Sequence, residues 1–306
     1  MSINTNDILS VIKDNSGIEI ESVKYIGGGS FGRVYKCTDK NSKPYAFKIF
    51  LAPDMVEKEA LSLKLLAECN AIKIPEVYFV LTKSEKVPFD CMLFEFIEGK
   101  SALMNAKLLF ASKKKRYEFA DSVVDALLEI HKIKSDKFGP IENPTFDKWL
   151  DFYKPFAEKI YIEAIEKCKE GDFDKGIIEV MHKAWKNFDY IFSDEVTEAC
   201  LIHGDLNVMN VMIDNNLKPV AFIDPLNSMY ADREYDLFQL QNLTGNCFNL
   251  YENYKSKFSV SEKCDLKCAF YRLWNEVMVV LNTGSCTNFI MRSCVKYMKS
   301  QLKTLE

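Results

Sequence analysis

Near the start of the chain, Gly27-Gly28-Gly29-Ser30-Phe31-Gly32-Arg33-Val34 fits G-x-G-x-x-G-x-V and lies between two strand-like stretches, 20–26 and 33–38. That context constrains the fold. A dinucleotide-binding Rossmann unit needs strand, turn and helix around such a run, and strand on both sides excludes it. In a hairpin, glycines let backbone N–H groups approach phosphate oxygens that a Cβ would hold off. Read alone, such a run is more often just a turn.

The surrounding residues favour a sheet. Stretches 45–51, 74–81 and 91–97 are rich in aromatic and β-branched residues, and Val56, Ala60, Leu63 and Leu66 keep helical spacing after Pro53. The order predicted is β-β-β-α-β-β. After Glu98-Gly99 the pattern turns helical over 113–132, 146–169, 175–192 and 234–302, with breaks near Gly245 and Gly284 and a strand–loop–strand passage over 200–223. A small strand-rich lobe, 1–97, joined by a hinge at 95–99 to a larger helical lobe, 98–306, is expected.

Composition narrows the function classes. A formal charge of −4 in 306 residues gives no whole-molecule attraction for nucleic acid or anionic membrane. No apolar run approaches the ~18 residues of a membrane span, and MSINTNDILS has no basic-then-apolar leader pattern. The ten cysteines are scattered without a C-x-x-C, and only three histidines accompany them, so reduced thiols acting as small hydrophobes are expected, in a cytoplasmic protein.

Two further constellations carry chemistry. Ala46-Phe47-Lys48 puts a lysine on the third strand, fourteen residues after Val34, where it can reach nucleotide phosphates. Glu57 and Glu59 are its candidate ion-pair partners, with Glu59 preferred because it sits one turn before the Leu63–Leu66 packing stripe. Downstream, His203-Gly204-Asp205-Leu206-Asn207-Val208-Met209-Asn210 reads H-G-D-x-x-x-x-N, and Asp224 of Ile223-Asp224-Pro225 follows fourteen residues after Asn210. A carboxylate to accept a hydroxyl proton, then Asn and Asp as hard oxygen ligands, suits metal-assisted phosphoryl transfer. Asp205 is the candidate base, and Asn210 and Asp224 the candidate Mg²⁺ ligands.

Over nearly its whole length from about Val23, the chain resembles the aminoglycoside phosphotransferase superfamily, small-molecule kinases that share the protein-kinase fold. His203-Gly204-Asp205 stands for H-R-D and Asp224-Pro225 for D-F-G, while no A-P-E follows. Ala231-Asp232-Arg233-Glu234-Tyr235-Asp236-Leu237 is similar to the superfamily's G-D-R-E-x-D-L, whose last Asp, here Asp236, braces the catalytic loop. The resemblance implies an α+β bilobal kinase-like fold with a five-stranded antiparallel N-lobe sheet and one helix. It also implies ATP, with GTP as the other candidate, and Mg²⁺. Nucleotide contacts would fall at Gly27, Gly28, Gly29, Ser30, Phe31, Gly32, Val34, Lys48 and Glu59, and at Glu95 and Ile97 in the hinge.

Within the superfamily the chain is most similar to the fructosamine and ketosamine kinases. The Asp224-Pro225 and Asp-Arg-Glu passage, the late stretch from Phe270-Tyr271-Arg272-Leu273-Trp274 to Gly284, and Phe138-Gly139 with Phe146 and Trp149 carry that likeness. A ketosamine or other amine-bearing sugar phosphorylated on a hydroxyl is the expected acceptor, received by 144–170 and the helices around Trp274. Residues 142–180 hold ten acidic and six basic side chains, which suits a cation. Trp149 and Trp274 themselves read as core aromatics. The alternatives are an aminoglycoside phosphotransferase, a choline-kinase-like enzyme, and a nucleotide-binding pseudokinase, which would lack one of Lys48, Asp205, Asn210 or Asp224. A monomer or weak homodimer, with no nucleic-acid or membrane partner, is expected.

Overall fold

The structure, a computed structural model, describes residues 4–305 apart from Ser30, Lys86, Met104 and Asp172. The elements in chain order are α1 (Thr5–Ser16), β1 (Ile20–Gly28), β2 (Gly32–Asp39), β3 (Pro44–Phe50), α2 (Val56–Leu66), β4 (Val77–Leu81), β5 (Cys91–Glu95), β6 (Lys100–Ser101), α3 (Ala106–Leu109) and α4 (Lys113–Ile130). There follow β7 (Lys134–Ser135), β8 (Gly139–Pro140), α5 (Trp149–Glu170), α6 (Lys175–Lys186), α7 (Phe188–Ile191), β9 (Ala199–Ile202), β10 (Val211–Ile213), β11 (Pro219–Phe222), β12 (Met229–Ala231), α8 (Glu234–Leu240), α9 (Leu250–Lys257), α10 (Cys264–Thr283) and α11 (Asn288–Leu302). They form two compact units, Met1–Ile130 with Met209–Ser228, and His131–Val208 with Met229–Glu306. This partition cuts the chain at Ile130, whereas the lobe boundary read from the sequence is at 97.

In the first unit β1 to β5 form an antiparallel sheet in the order β1-β2-β3-β5-β4. Cys37, Tyr45, Phe47 and Ile49 point to one face and pack with Ile8, Val11 and Ile12 of α1. The opposite face carries Val34 beside Lys48 and Lys36 beside Ala46. Strand alternation thus separates an apolar side from a side with a charged group to offer. Helix α1 adds to the one helix expected here. Asn4 caps it through Asn6 N–H at 3.0 Å and Gly17 ends it at φ 69°. Its signal is a cap, a terminal glycine and three apolar positions in a polar segment, too little periodicity to read alone. A smaller sheet, β11-β10-β6, completes this unit.

The second unit holds the sheet β7-β9-β12-β8 and an aromatic core. Phe270 stacks on Trp274 with ring centroids 3.7 Å apart. The Trp274 indole donates to Ala157 O and the Trp149 indole to the Tyr271 hydroxyl, each at 2.9 Å. Both tryptophans are sealed within the core, so any acceptor contact from this region falls to other residues. The stretch 175–192 is two helices rather than one, because Asn187 breaks it and its amide returns to Lys183 O. All ten cysteines are free thiols. Among the described residues no helix is long and apolar enough to cross a membrane.

Candidate active site

In the first unit the glycine run forms the tip of the β1–β2 hairpin, with Gly27 opposite Val34 and Gly28 opposite Arg33. A Cβ on Gly28 would lie 2.4 Å from Gly32 O, so closure of this tip requires glycine. Gly32 backs onto the Lys48 stem: its Cβ position is 3.0 Å from Lys48 Cε. Arg33 donates to Gly29 O at 2.7 Å and Gly32 O at 2.9 Å, fastening the loop from its own strand. Phe31 O accepts from Leu51 N–H at 2.9 Å, tying the tip to the end of β3. Ser30 lies outside the described residues.

Beneath this loop Lys48 is the centre of a charge cluster. Its ammonium donates to both oxygens of Glu59, at 2.8 and 2.7 Å, and to Asp224 Oδ1 at 2.5 Å. Glu59 is buried on α2, whereas Glu57 faces solvent. Burial alone would pull the Lys48 pKa down, but the carboxylates of Glu59 and Asp224 outweigh it and hold the ammonium above its ordinary value. Burial pushes Glu59 up to about 7 against the opposing pull of Lys48. One cation with two anions accounts for both directions, since the second carboxylate favours protons on every member.

Asp224 and Asn210 meet at one end of a hairpin. Strands β10 and β11 pair Val211 with Phe222, and Ile223 N–H donates to Asn210 O at 3.0 Å, so the two residues flank the last rungs. Asp224 adopts φ 59°, a left-handed conformation that Asp tolerates better than most residues. Among the described residues no three of His, Cys, Asp and Glu cluster as a ready metal centre. An amide and a carboxylate at one hairpin end, with the Asp224 side chain 43% exposed, nevertheless fit a Mg²⁺ ion, which favours hard oxygens and draws further ligands from phosphate and water. Glu95 ends β5 with its N–H on Glu76 O and its carboxylate 2.5 Å from Lys73 Nζ. Ile97, just beyond, is half-buried.

In the second unit the His203–Asn207 turn is fixed from below by Asp236 of α8. His203 N–H donates to Asp236 Oδ2 at 2.8 Å and Gly204 N–H to Oδ1 at 2.7 Å, with the carboxylate fully buried. Aiming two successive N–H groups at one carboxylate puts Gly204 at φ 77°, which explains glycine between His203 and Asp205. Asp205 is half-buried, and Asn207 donates to its Oδ1 at 2.9 Å. Asn207 sits at an unassigned position of H-G-D-x-x-x-x-N, and no spacing rule singles it out. His203 Nδ1 accepts from Asp205 N–H at 3.3 Å, which gives the histidine a loop-holding contact.

The antiparallel sheet with its lysine–glutamate pair and the Asp-braced His-Gly-Asp turn belong to the kinase-like fold class. The model of the phosphotransferase enzyme family, APH, matches residues 22–255, and the chain belongs to that family. It is therefore a phosphotransferase of the small-molecule kinase type, acting on a hydroxyl. It is 30% identical over 232 residues to the chloroplastic protein-ribulosamine 3-kinase of Oryza sativa subsp. japonica, covering 70% of this chain and 61% of that protein. The uncharacterized protein YcbJ of Escherichia coli (strain K12) is 24% identical over 257 residues, 83% of this chain and 84% of that one. Solved structures share the fold. A ternary complex of a thermostable aminoglycoside phosphotransferase APH(4)-Ia mutant with AMP-PNP and hygromycin B aligns at TM-score 0.73 and 16% identity over 97% of this chain and 98% of that one. A Thermobifida fusca protein proposed to be a fructosamine-3-kinase aligns at TM-score 0.67 and 17% identity, over 97% of this chain and 100% of that one.

Proposed function

We propose that the chain is an ATP- and Mg²⁺-dependent kinase that phosphorylates a sugar hydroxyl of a ketosamine. The observation that carries the choice of acceptor is the 30% identity to a protein-ribulosamine 3-kinase. In this reading the acceptor O–H attacks the γ-phosphorus, the bond to the ADP oxygen breaks, and the proton passes to the Asp205 carboxylate, yielding a phosphate ester and ADP. Asn207 holds Asp205 in position for that proton. Lys48 binds nucleotide phosphates and is kept charged by Glu59, while the backbone of Gly27–Gly29, Ser30, Phe31 and Gly32 covers them and Val34 lines the same side. Glu95 and Ile97 receive the base. Asn210 and Asp224 hold Mg²⁺, which neutralises charge on the phosphates when bound. Ten free thiols suit a reducing, cytoplasmic compartment.

A second reading, an aminoglycoside phosphotransferase, draws support from the higher TM-score of 0.73 to the hygromycin B complex. The two part on one experiment. ADP release is followed with MgATP and fructosyl-lysine, ribulosyl-lysine or kanamycin as acceptor. The ketosamine reading expects turnover on at least one of the first two; turnover on kanamycin alone replaces it with the second.

A further inference from the structure

The Asp236 brace does not end at Asp236. Its Oδ2 also faces His131 Nε2 at 3.2 Å, and His131 Nδ1 lies 2.9 Å from the Tyr254 hydroxyl. The Arg233 guanidinium acts on that hydroxyl through its charge. Asp236, His131 and Tyr254 are fully buried, and Arg233 is anchored beyond them by Glu198 at 2.9 Å and the Phe258 ring at 4.1 Å.

The carboxylate end sets the direction of this chain. A carboxylate only accepts. His131 Nε2–H therefore donates to Asp236, and in the neutral ring Nδ1 accepts from the Tyr254 O–H. With Nδ1 accepting, the imidazole is held as the Nε2–H tautomer. Asp236 is left with its geometry fixed, one oxygen for Gly204 N–H and the other shared by His203 N–H and His131.

We propose that Tyr254, through His131 and Asp236, is a positioning residue for the Gly204–Asp205 turn, its hydroxyl satisfying His131 Nδ1 and so fixing the ring whose Nε2–H holds the Asp236 carboxylate. The inference rests on the reading of Asp205 as the proton acceptor. It adds a residue from α9, nearly fifty positions beyond Asp205, that touches neither nucleotide nor acceptor. Removing only the hydroxyl, in Tyr254→Phe, leaves the buried ring and strands His131 Nδ1 without a donor, so the imidazole loses its fixed orientation against Asp236. The turn then loses definition while the nucleotide contacts of the first unit are untouched.

The test has three parts. With only three histidines in the chain, ¹⁵N spectra of the imidazoles resolve His131, which should show the Nε2–H pattern with a hydrogen-bonded Nδ1 in the wild type, and an Nδ1 resonance displaced toward that of an unbonded ring nitrogen in Tyr254→Phe. The Gly204 amide should exchange with deuterium about tenfold faster in the variant. Turnover of MgATP with water as acceptor should fall about tenfold in kcat with the KM for ATP within about twofold, whereas a purely structural loss would move both. In a His131→Gln background, which keeps a donor toward Asp236 but severs Tyr254, Tyr254→Phe should have no further effect on kcat. An Nδ1–H tautomer in the wild type, unchanged Gly204 exchange in the variant, or independent effects of the two substitutions would overturn the proposal. Absence of ATP turnover in the wild type would count against the proposed reaction instead, and the imidazole and exchange measurements would still decide on Tyr254.

Discussion

Two buried lysines in this protein each hold two carboxylates, and they differ in what those carboxylates have left to give. Lys48 binds Glu59 and Asp224, whose side chains are 3% and 43% exposed. Lys267 on α10 binds Asp232 at 2.5 Å and Glu234 at 2.7 Å, with exposures of 5% and 7%. Around Lys267 the remaining acceptor capacity is spent within the protein. Asp232 also receives Tyr271 O–H at 3.2 Å and Glu234 N–H at 3.0 Å, and Glu234 receives Ser261 N–H and O–H. The charge sum is the same in both clusters. In one, a carboxylate remains open to a ligand; in the other, every group is committed to joining β12, α8 and α10. Open acceptor capacity, more than charge or burial, sets apart the cluster proposed to hold the nucleotide.

Substitutions that treat the two clusters alike should therefore separate them. Lys267→Met leaves two carboxylates buried against one another and should lower folding stability by about 3–5 kcal/mol in urea unfolding. Lys48→Met should cost less than half as much, because Glu59, already pushed up to about 7 by burial, takes up a proton instead. Equal losses would remove the distinction. Asp224→Ala should cut MgATP turnover by about 10²–10³-fold and remove the Mg²⁺ dependence of ATP binding in calorimetry, with Asn210→Ala milder; unchanged Mg²⁺-dependent binding would place the metal elsewhere.

Smaller effects test the Lys48 cluster from inside. A double-mutant cycle on Lys48→Ala and Glu59→Ala should show coupling of about 1–3 kcal/mol in transition-state stabilisation, since each acts through the other. Additivity would retire Glu59. The smallest effect is in pH. As pH falls through about 7, Glu59 takes a proton and Lys48 loses one of its two anionic partners. Turnover should decline on that acid side, and Glu59→Gln should flatten the decline. A limb unaltered in the variant would assign it to another group.

Much of this was legible in the sequence, and the reason lies in local rules. The hairpin glycines, Lys48 on the third strand, Glu59 ahead of its packing stripe and the five-stranded order follow from spacing and alternation, which the chain carries residue by residue. The Asp236 brace was legible through family resemblance. Asn207, His131 and Tyr254 were not legible as site residues. His131 reads as an ordinary helix-terminal histidine, and no local pattern marks Tyr254. Their meeting depends on residues 131, 236 and 254 of the second unit being brought together by the fold, and nothing local encodes that. Within the Asp232–Leu237 string the three carboxylates divide: Asp232 and Glu234 serve the Lys267 cluster, and Asp236 reaches the His203–Asp205 turn.

The most direct measurement is Asp205→Asn, followed in two assays on one preparation. Phosphoryl transfer from MgATP should fall by about 10³-fold or more, while the calorimetric Kd for MgATP stays within a few-fold of the wild type, because this carboxylate is assigned to the acceptor proton and to no phosphate. Parallel loss of nucleotide binding and transfer, or transfer that survives the substitution, would contradict the assignment of Asp205 as the group that takes the hydroxyl proton.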